Sequence, residues 1–242
     1  MDHRAGDEFG APAGERSAWL IPMAVFVVTA ALTAAFLAYY LFGSRLLGPE
    51  PPAPRDSAQI VALSVGGIGF HIPANYIVFA SQRQGGPQES LDLVALLPDM
   101  QGYTLAAAEK FSSDQPDSPV LNLSMAADRV AITDAEKLER IYMPYVTNPE
   151  GTTGPFGLTE YGFGTGSGYS DEVLFVGASP NGPILFLCVQ PSAGNPAPTC
   201  QGTVPLGSGL SLTYRFKRLH LERWNDISTG VRALIGAFTD KT

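Results

Sequence analysis

Few residues in this chain are suited to chemistry: two cysteines, three histidines and some closely spaced carboxylates. Cys188 and Cys200 bracket the turn-rich run Ser192-Ala193-Gly194-Asn195-Pro196-Ala197-Pro198. A redox-active pair usually has Cys-x-x-Cys spacing, which is absent, and two cysteines with no nearby histidine do not make a structural zinc site. The pair therefore reads as a structural disulfide, a bond that needs an oxidising compartment. His71, ahead of Ile72-Pro73, and His220, after a basic stretch, are candidate bases for a nucleophile triad. The serines in Gly166-Ser167-Gly168 and Gly207-Ser208-Gly209, however, lack the Gly-x-Ser-x-Gly spacing of a nucleophile elbow. Carboxylates are adjacent at Asp171-Glu172 and close between Asp114 and Asp117. A glycosidase needs two of them held about 5–9.5 Å apart across a cleft, which proximity along a loop does not supply. The glycines from Gly162 to Tyr169 match neither the dinucleotide fingerprint nor the lysine-bearing phosphate loop. No catalytic residue, metal site or cofactor is expected.

Two groups of residues suit recognition better than catalysis. Phe156, Tyr161, Phe163 and Tyr169 dot a glycine-rich loop from Gly151 to Ser170, where aromatic rings can serve as rigid anchors for a protein or glycan. The competing reading is a connection whose rings tuck into the core. Arg215 and Lys217, followed by Arg218, His220 and Arg223, form a basic strip in an otherwise acidic domain. Such a strip meets an acidic partner or lipid headgroups, or it is a solvated edge that guards against strand pairing.

The elements that carry these residues read as strands and two helices. From Gln59 to Ile72, two apolar runs flank Gly66-Gly67, a hairpin pattern. Further strands are expected over 91–97, 120–125, 173–176 and 183–189, the last two flanking Ser179-Pro180-Asn181-Gly182, whose Asn-Gly is a hairpin cue. From Leu210 to Lys217 the alternation is strict: Leu210, Leu212, Tyr214 and Phe216 share one face, and Ser211, Thr213, Arg215 and Lys217 the other. Thr133 with Glu136 makes a capping box for a helix over Ala135–Tyr142, stopped by Pro144. A last helix from about Leu221 to Phe238 gathers Trp224, Ile227, Val231, Leu234, Ile235 and Phe238 on one stripe. The expected fold is α+β: an antiparallel sheet covered by the C-terminal helix, preceded by a transmembrane helix.

That first helix rests on 25 uncharged residues from Ala18 to Phe42, bracketed by Arg16 and Arg45. At 1.5 Å per residue the run is about 37 Å long, enough for a hydrocarbon core of about 30 Å. Trp19 at one end and Tyr39 and Tyr40 at the other suit the two interfaces. Residues 1–17 then form a cytoplasmic tail, 18–43 the spanning helix, 44–57 a proline-rich linker, and 58–242 the extracytoplasmic domain. An uncleaved anchor is expected rather than a signal peptide, whose apolar region runs to only about 7–15 residues. Ala30, Ala34 and Ala38 recur at helical spacing, and small residues so placed let a second helix approach closely.

Charge narrows the partners. The chain has 15 basic and 23 acidic residues, a net −8, which argues against nucleic acid because phosphate neutralisation needs clustered cations. Together these features predict a single-pass protein of the bacterial inner membrane whose domain faces the periplasm or exterior. Its partners would be lipid, through one helix, and a protein or a second copy of the chain, engaged as a binding module or accessory subunit. The alternative is a cell-envelope enzyme or a protein binding a small ligand or glycan. A C-terminal reporter that needs an oxidising compartment should be active in intact cells; activity confined to a cytosolic reporter, with both thiols alkylated, would overturn the outward orientation.

Overall fold

The structure, a computed structural model, describes residues 19–40, 50–128, 132–192 and 194–239. They fall into two units, Met1–Glu50 and Pro51–Thr242. In the first, helix α1 (Leu20–Ala38) has mean hydropathy 2.3 and no buried residue. It is long and apolar enough to cross a membrane. Its two hydroxyls are satisfied within the helix, Thr29 Oγ1 donating to Val25 O and Thr33 Oγ1 to Thr29 O, each at 2.8 Å. This is what an apolar surrounding demands of polar groups. The expected tail, residues 1–17, and the stretch 41–49 that holds the start of the expected linker lie outside the described residues.

The second unit is mixed α and β. Strands β1 (Ile60–Val65), β2 (Ile68–Pro73) and β3 (Gly86–Gln88) form a small sheet in the order β2-β1-β3. Gly66 and Gly67 both take positive φ, 56° and 83°, as a two-residue hairpin turn requires. The pairing of β1 with β3 is parallel and had no signal in the sequence. The large sheet is antiparallel throughout and contains β4 (Ser90–Leu96), β5 (Val120–Ala127), β6 (Thr152–Thr153), β7 (Thr159–Gly162), β8 (Glu172–Ser179), β9 (Gly182–Val189), β10 (Thr199–Gly207) and β11 (Leu210–Lys217). Its order is β4-β5-β11-β10-β9-β8-β7-β6. The hairpin expected at 173–189 turns through Ser179-Pro180-Asn181-Gly182: Ser179 pairs with Gly182, and Pro180-Asn181 is the central pair. Proline fits the first of those positions, and Ser179 Oγ closes the turn by donating to Gly182 O at 2.7 Å.

Short helices α2 (Ala108–Ser112) and α3 (Asp134–Lys137) lie between strands. The Thr133–Glu136 capping box is present, but the α-helix is shorter than its sequence suggests. It passes into a wider turn over Leu138–Tyr142 and a 3₁₀ turn over Met143–Tyr145 that contains Pro144. Helix α4 (Trp224–Phe238) follows a 3₁₀ turn at Arg218–Arg223. Its stripe faces inward, with Ile227, Val231, Ile235 and Phe238 buried and Trp224 and Leu234 packed at the margin.

The main core lies between this helix and the inner faces of both sheets. On β11 the alternation is realised completely: Leu210, Leu212, Tyr214 and Phe216 are at most 1% exposed. The Tyr214 hydroxyl is satisfied by Ser228 Oγ of α4 at 3.0 Å, which ties sheet to helix. Its ring passes over Gly202 of β10, where an added Cβ would meet ring atoms at 2.5 Å. Phe186 meets Tyr214, Phe216 and Trp224 edge-on. A second, smaller cluster on the opposite face of β8 and β9 joins Leu174, Leu185 and Phe163 under Leu138, Tyr142 and Val146.

One junction in the large sheet is thin. β9 and β10 share only the register pairs Cys200↔Cys188 and Gln201↔Leu187. At the first of them the two cysteines are joined as a disulfide, with Cα atoms 4.0 Å apart and both residues fully buried. The chain before β1 is also fastened: Ala53 N donates to Val78 O at 3.0 Å, and Arg83 Nη2 donates to Ala53 O at 2.7 Å. Replacing Cys188 and Cys200 together by Ala should cost about 3 kcal/mol by the loop-closure argument. Denaturant unfolding in detergent reads the loss, which reducing agent should reproduce in the unaltered protein.

Candidate interaction face

Across β4, β5, β11 and β10 the outer side chains stand in registered rows. One row runs Asp92, Ser124, Thr213, Thr203, and the next Val94, Asn122, Arg215, Gln201. Lys217 stands opposite Thr199 in a third. The inner positions of these strands are held by the core, so the outer rows sit on a stiff base. Arg215 is exposed, and its Nη2 donates to Gln201 Oε1 at 2.8 Å, which fixes the guanidinium across two strands. Asp92 is held from the side by Gln82, which donates to its carboxylate at 3.2 Å and accepts from its backbone N–H at 3.0 Å.

Two hollows open on this face. The first, about 340 Å³, is lined by Pro52, Phe79, Asp92, Ser124, Thr213 and Arg215 among others. The second, about 330 Å³, includes Asp114, Ser118, Asn122, Thr199, Arg215 and Lys217. They meet at Asn122 and Arg215, which line both. Each is of the size that holds a small ligand or one projecting side chain.

The residues singled out in the sequence are distributed over three places. Arg215 and Lys217 share the open face, as their alternation implied. The rest of the basic strip does not join them. Arg218 lies 5.2 Å over the Phe175 ring and donates to Val189 O, and burial holds its pKa below the usual range. Arg223 pairs with Asp226 at 3.5 Å, and His220 Nε2 lies 2.9 Å from Ser118 O. The supposed flexible loop 151–170 contains β6 and β7. Phe163 is 8% exposed within the second cluster and Tyr169 packs against it, with Tyr142 and Tyr145 around it at 5.5 and 6.0 Å. Tyr161 is half-buried, while Phe156 remains 55% exposed and its carbonyl accepts from the Trp224 indole. Ala30, Ala34 and Ala38 fall on α1 at successive turns.

The histidines do not converge. His71 is an exposed residue of β2 opposite Ala62. His220 borders a cavity of about 20 Å³ beside Asp226, room for about one water molecule. Among the described residues no group of three or more His, Cys, Asp or Glu is placed to hold a metal. Asp92, Asp114, Ser118, Asn122, Ser124 and Thr213 were missed as lining residues. Strand alternation points Asn122, Ser124 and Thr213 outward, but nothing local announces that β5 lies beside β11.

Perturbed acids gather instead around the second cluster. Burial raises the pKa of Asp134, offset in part by Lys137 at 3.9 Å and by a backbone N–H from Leu185. Burial, with Tyr169, Glu172 and Asp134 near, pushes the Tyr142 hydroxyl up to about 12.

Among solved structures the chain is similar to Smlt3025, an immunity protein of the Stenotrophomonas maltophilia type IV secretion system. The two align with a TM-score of 0.52 at 20% identity, over 76% of this chain and 95% of the other. That likeness concerns the fold. No protein-family model matches the sequence, and no curated protein does.

The raised pKa of Asp134 has a measurable consequence. The folded state holds this proton more tightly than the unfolded chain, so ionisation costs stability as pH rises from the unfolded value of 3.8 through the higher folded one. Asp134→Asn should therefore raise the unfolding temperature at neutral pH, with the gain shrinking as the pH approaches 3.8. A loss of equal size at every pH would contradict it.

Proposed function

We propose that this chain is a membrane-tethered, extracytoplasmic protein-binding module that acts in the manner of an immunity protein, by occupying a protein partner rather than by transforming a substrate. The observation that carries the reading is the open polar face over β4, β5, β11 and β10, with Arg215 at the junction of its two hollows. A rigid sheet whose outer rows mix hydroxyls, amides and one fixed guanidinium suits a wet, specific protein interface, where arginine is enriched and buried charge is sparse. The fold shared with an immunity protein supports the same class of activity.

In this reading α1 anchors the chain in the bacterial inner membrane, with the domain in the periplasm or at the cell exterior. The apolar helix and the disulfide support that placement, since the bond persists where thiols are oxidised. Ala30, Ala34 and Ala38 would offer α1 a face for a second helix, from another copy or another subunit. Phe156, exposed ahead of β7, and half-buried Tyr161 of β7 would add separate contacts away from the main face.

Purification of the full chain from its native membrane in mild detergent should bring down a protein partner in fixed proportion. Arg215→Glu should weaken that association at least about tenfold, as expected for a central interface residue, while leaving the unfolding temperature unchanged. A strictly monomeric particle with no partner would sink the reading.

A further inference from the structure

We propose that the hollow over Lys217 is a carboxylate-binding site, and that Asp114 occupies it as an internal stand-in that a ligand's carboxylate displaces. The hollow lies on the face assigned to a protein partner above, and this proposal deepens that reading by naming the chemistry the hollow takes. Lys217 Nζ is paired with Asp114 Oδ1 and also donates to Ala197 O at 3.4 Å. The two partners differ sharply in exposure: the lysine side chain is 13% exposed and the aspartate 96%. An ammonium so deeply seated demands an anion, because an unpaired buried charge is expensive. The anion supplied here comes from the loop between α2 and β5, with almost all of its own surface in water. Water solvates Asp114 fully once it is released, so exchanging it for another carboxylate costs little.

The surroundings hold more donors than Asp114 uses. Ser118 lines the same hollow, is 1% exposed, and its Oγ has no hydrogen-bond partner among the described residues. A buried hydroxyl left unsatisfied carries a cost that a bound acceptor would remove. Arg215 borders the hollow from the next row, with only Nη2 engaged by Gln201 among its five N–H donors. Thr199 and Asn122 complete the polar wall. A carboxylate offers about four lone-pair positions, matching an ammonium, a guanidinium edge and a hydroxyl at once. About 330 Å³ stays open beside Lys217 with Asp114 in place as part of the wall. The shared chemistry is a carboxylate, either on a small organic acid or on an acidic side chain of a protein.

The full-length chain in detergent micelles can be titrated calorimetrically with two probes at fixed ionic strength: succinate, and an acetylated, amidated triglutamate peptide. Asp114→Asn removes the competitor and should tighten the preferred probe about threefold to tenfold. Lys217→Met should abolish saturable binding, and Arg215→Met should weaken it. Lys217→Met and Arg215→Met should keep the unfolding temperature of the parent, whereas Asp114→Asn leaves the seated ammonium without its anion and should lower that temperature until the preferred probe is added; all are measured alongside. Tighter succinate identifies a small organic acid as the ligand, and tighter peptide identifies an acidic protein segment. No saturable binding of either probe to the Asp114→Asn protein, or binding undiminished by Lys217→Met, would overturn the proposal.

Discussion

The large sheet depends on its weakest seam. The long strands of its two antiparallel halves, β4-β5-β11-β10 and β9-β8 (with the short β7 and β6 beyond), are zipped by registers of six to eight pairs, yet the halves meet through two residue pairs. Elsewhere a pair of strands this long would share a full ladder of hydrogen bonds. Three other devices make up for the shortfall. The disulfide fixes one of the two residue pairs at which the halves are joined. Helix α4 spans the gap from within, binding Tyr214 through Ser228 on one half and seating Trp224 against Phe186 of the other. On the outer side Asp134 accepts the Leu185 N–H of β9, a backbone donor that the register with β10 leaves over. Burial raises the pKa of that carboxyl, and Lys137 and the Leu185 N–H offset part of the desolvation cost.

The division also sorts the two faces by use. Over β8 and β9 the outer face is covered, since Leu174 and Leu185 are buried under the segment that runs from Leu138 to Val146. Over β4, β5, β11 and β10 the outer face is open and polar, and both hollows lie there. The candidate site is thus the part of the sheet that its own chain does not cover. Its charges are set by strand register rather than by loops: Arg215 and Lys217 are two residues apart on one strand, and their neighbours Gln201 and Thr199 are opposite them on the next. Side chains so placed keep their spacing without help from a partner, which lowers the entropy lost on binding.

How much of this the sequence discloses depends on the range of the forces involved. Period-two alternation from Leu210 to Lys217 announced β11 and both its faces, because burial of every second residue is a local constraint. The Gly66-Gly67 turn, the capping box at Thr133 and the stripe of the last helix were legible for the same reason. β10 was hidden by its composition: Gly202, Pro205 and Gly207 break the pattern, and they do so because Tyr214 crosses at Gly202 and the strand ends in a bulge near Pro205. The aromatics of 156–169 looked like anchors because sequence shows ring density but not direction. Phe163 turns inward since β7 pairs with β8 and brings it over Leu174. The lining of the candidate site was the least legible part. Its residues come from strands and loops as far apart as Asp92 and Lys217, and no short-range signal joins them.

The fastening at Ala53 bears on how the domain withstands tension. A pull applied through the residues that precede it reaches Ala53 first, whose N–H is held by Val78 O and whose carbonyl is held by Arg83. The same guanidinium also grips Ile77 O at 2.7 Å, and residues 76–78 bond in turn to β4. Force is therefore spread over the guanidinium and the edge of the large sheet before it can peel Ile60 from Pro73, so the hairpin is shielded from tension arriving along the preceding chain.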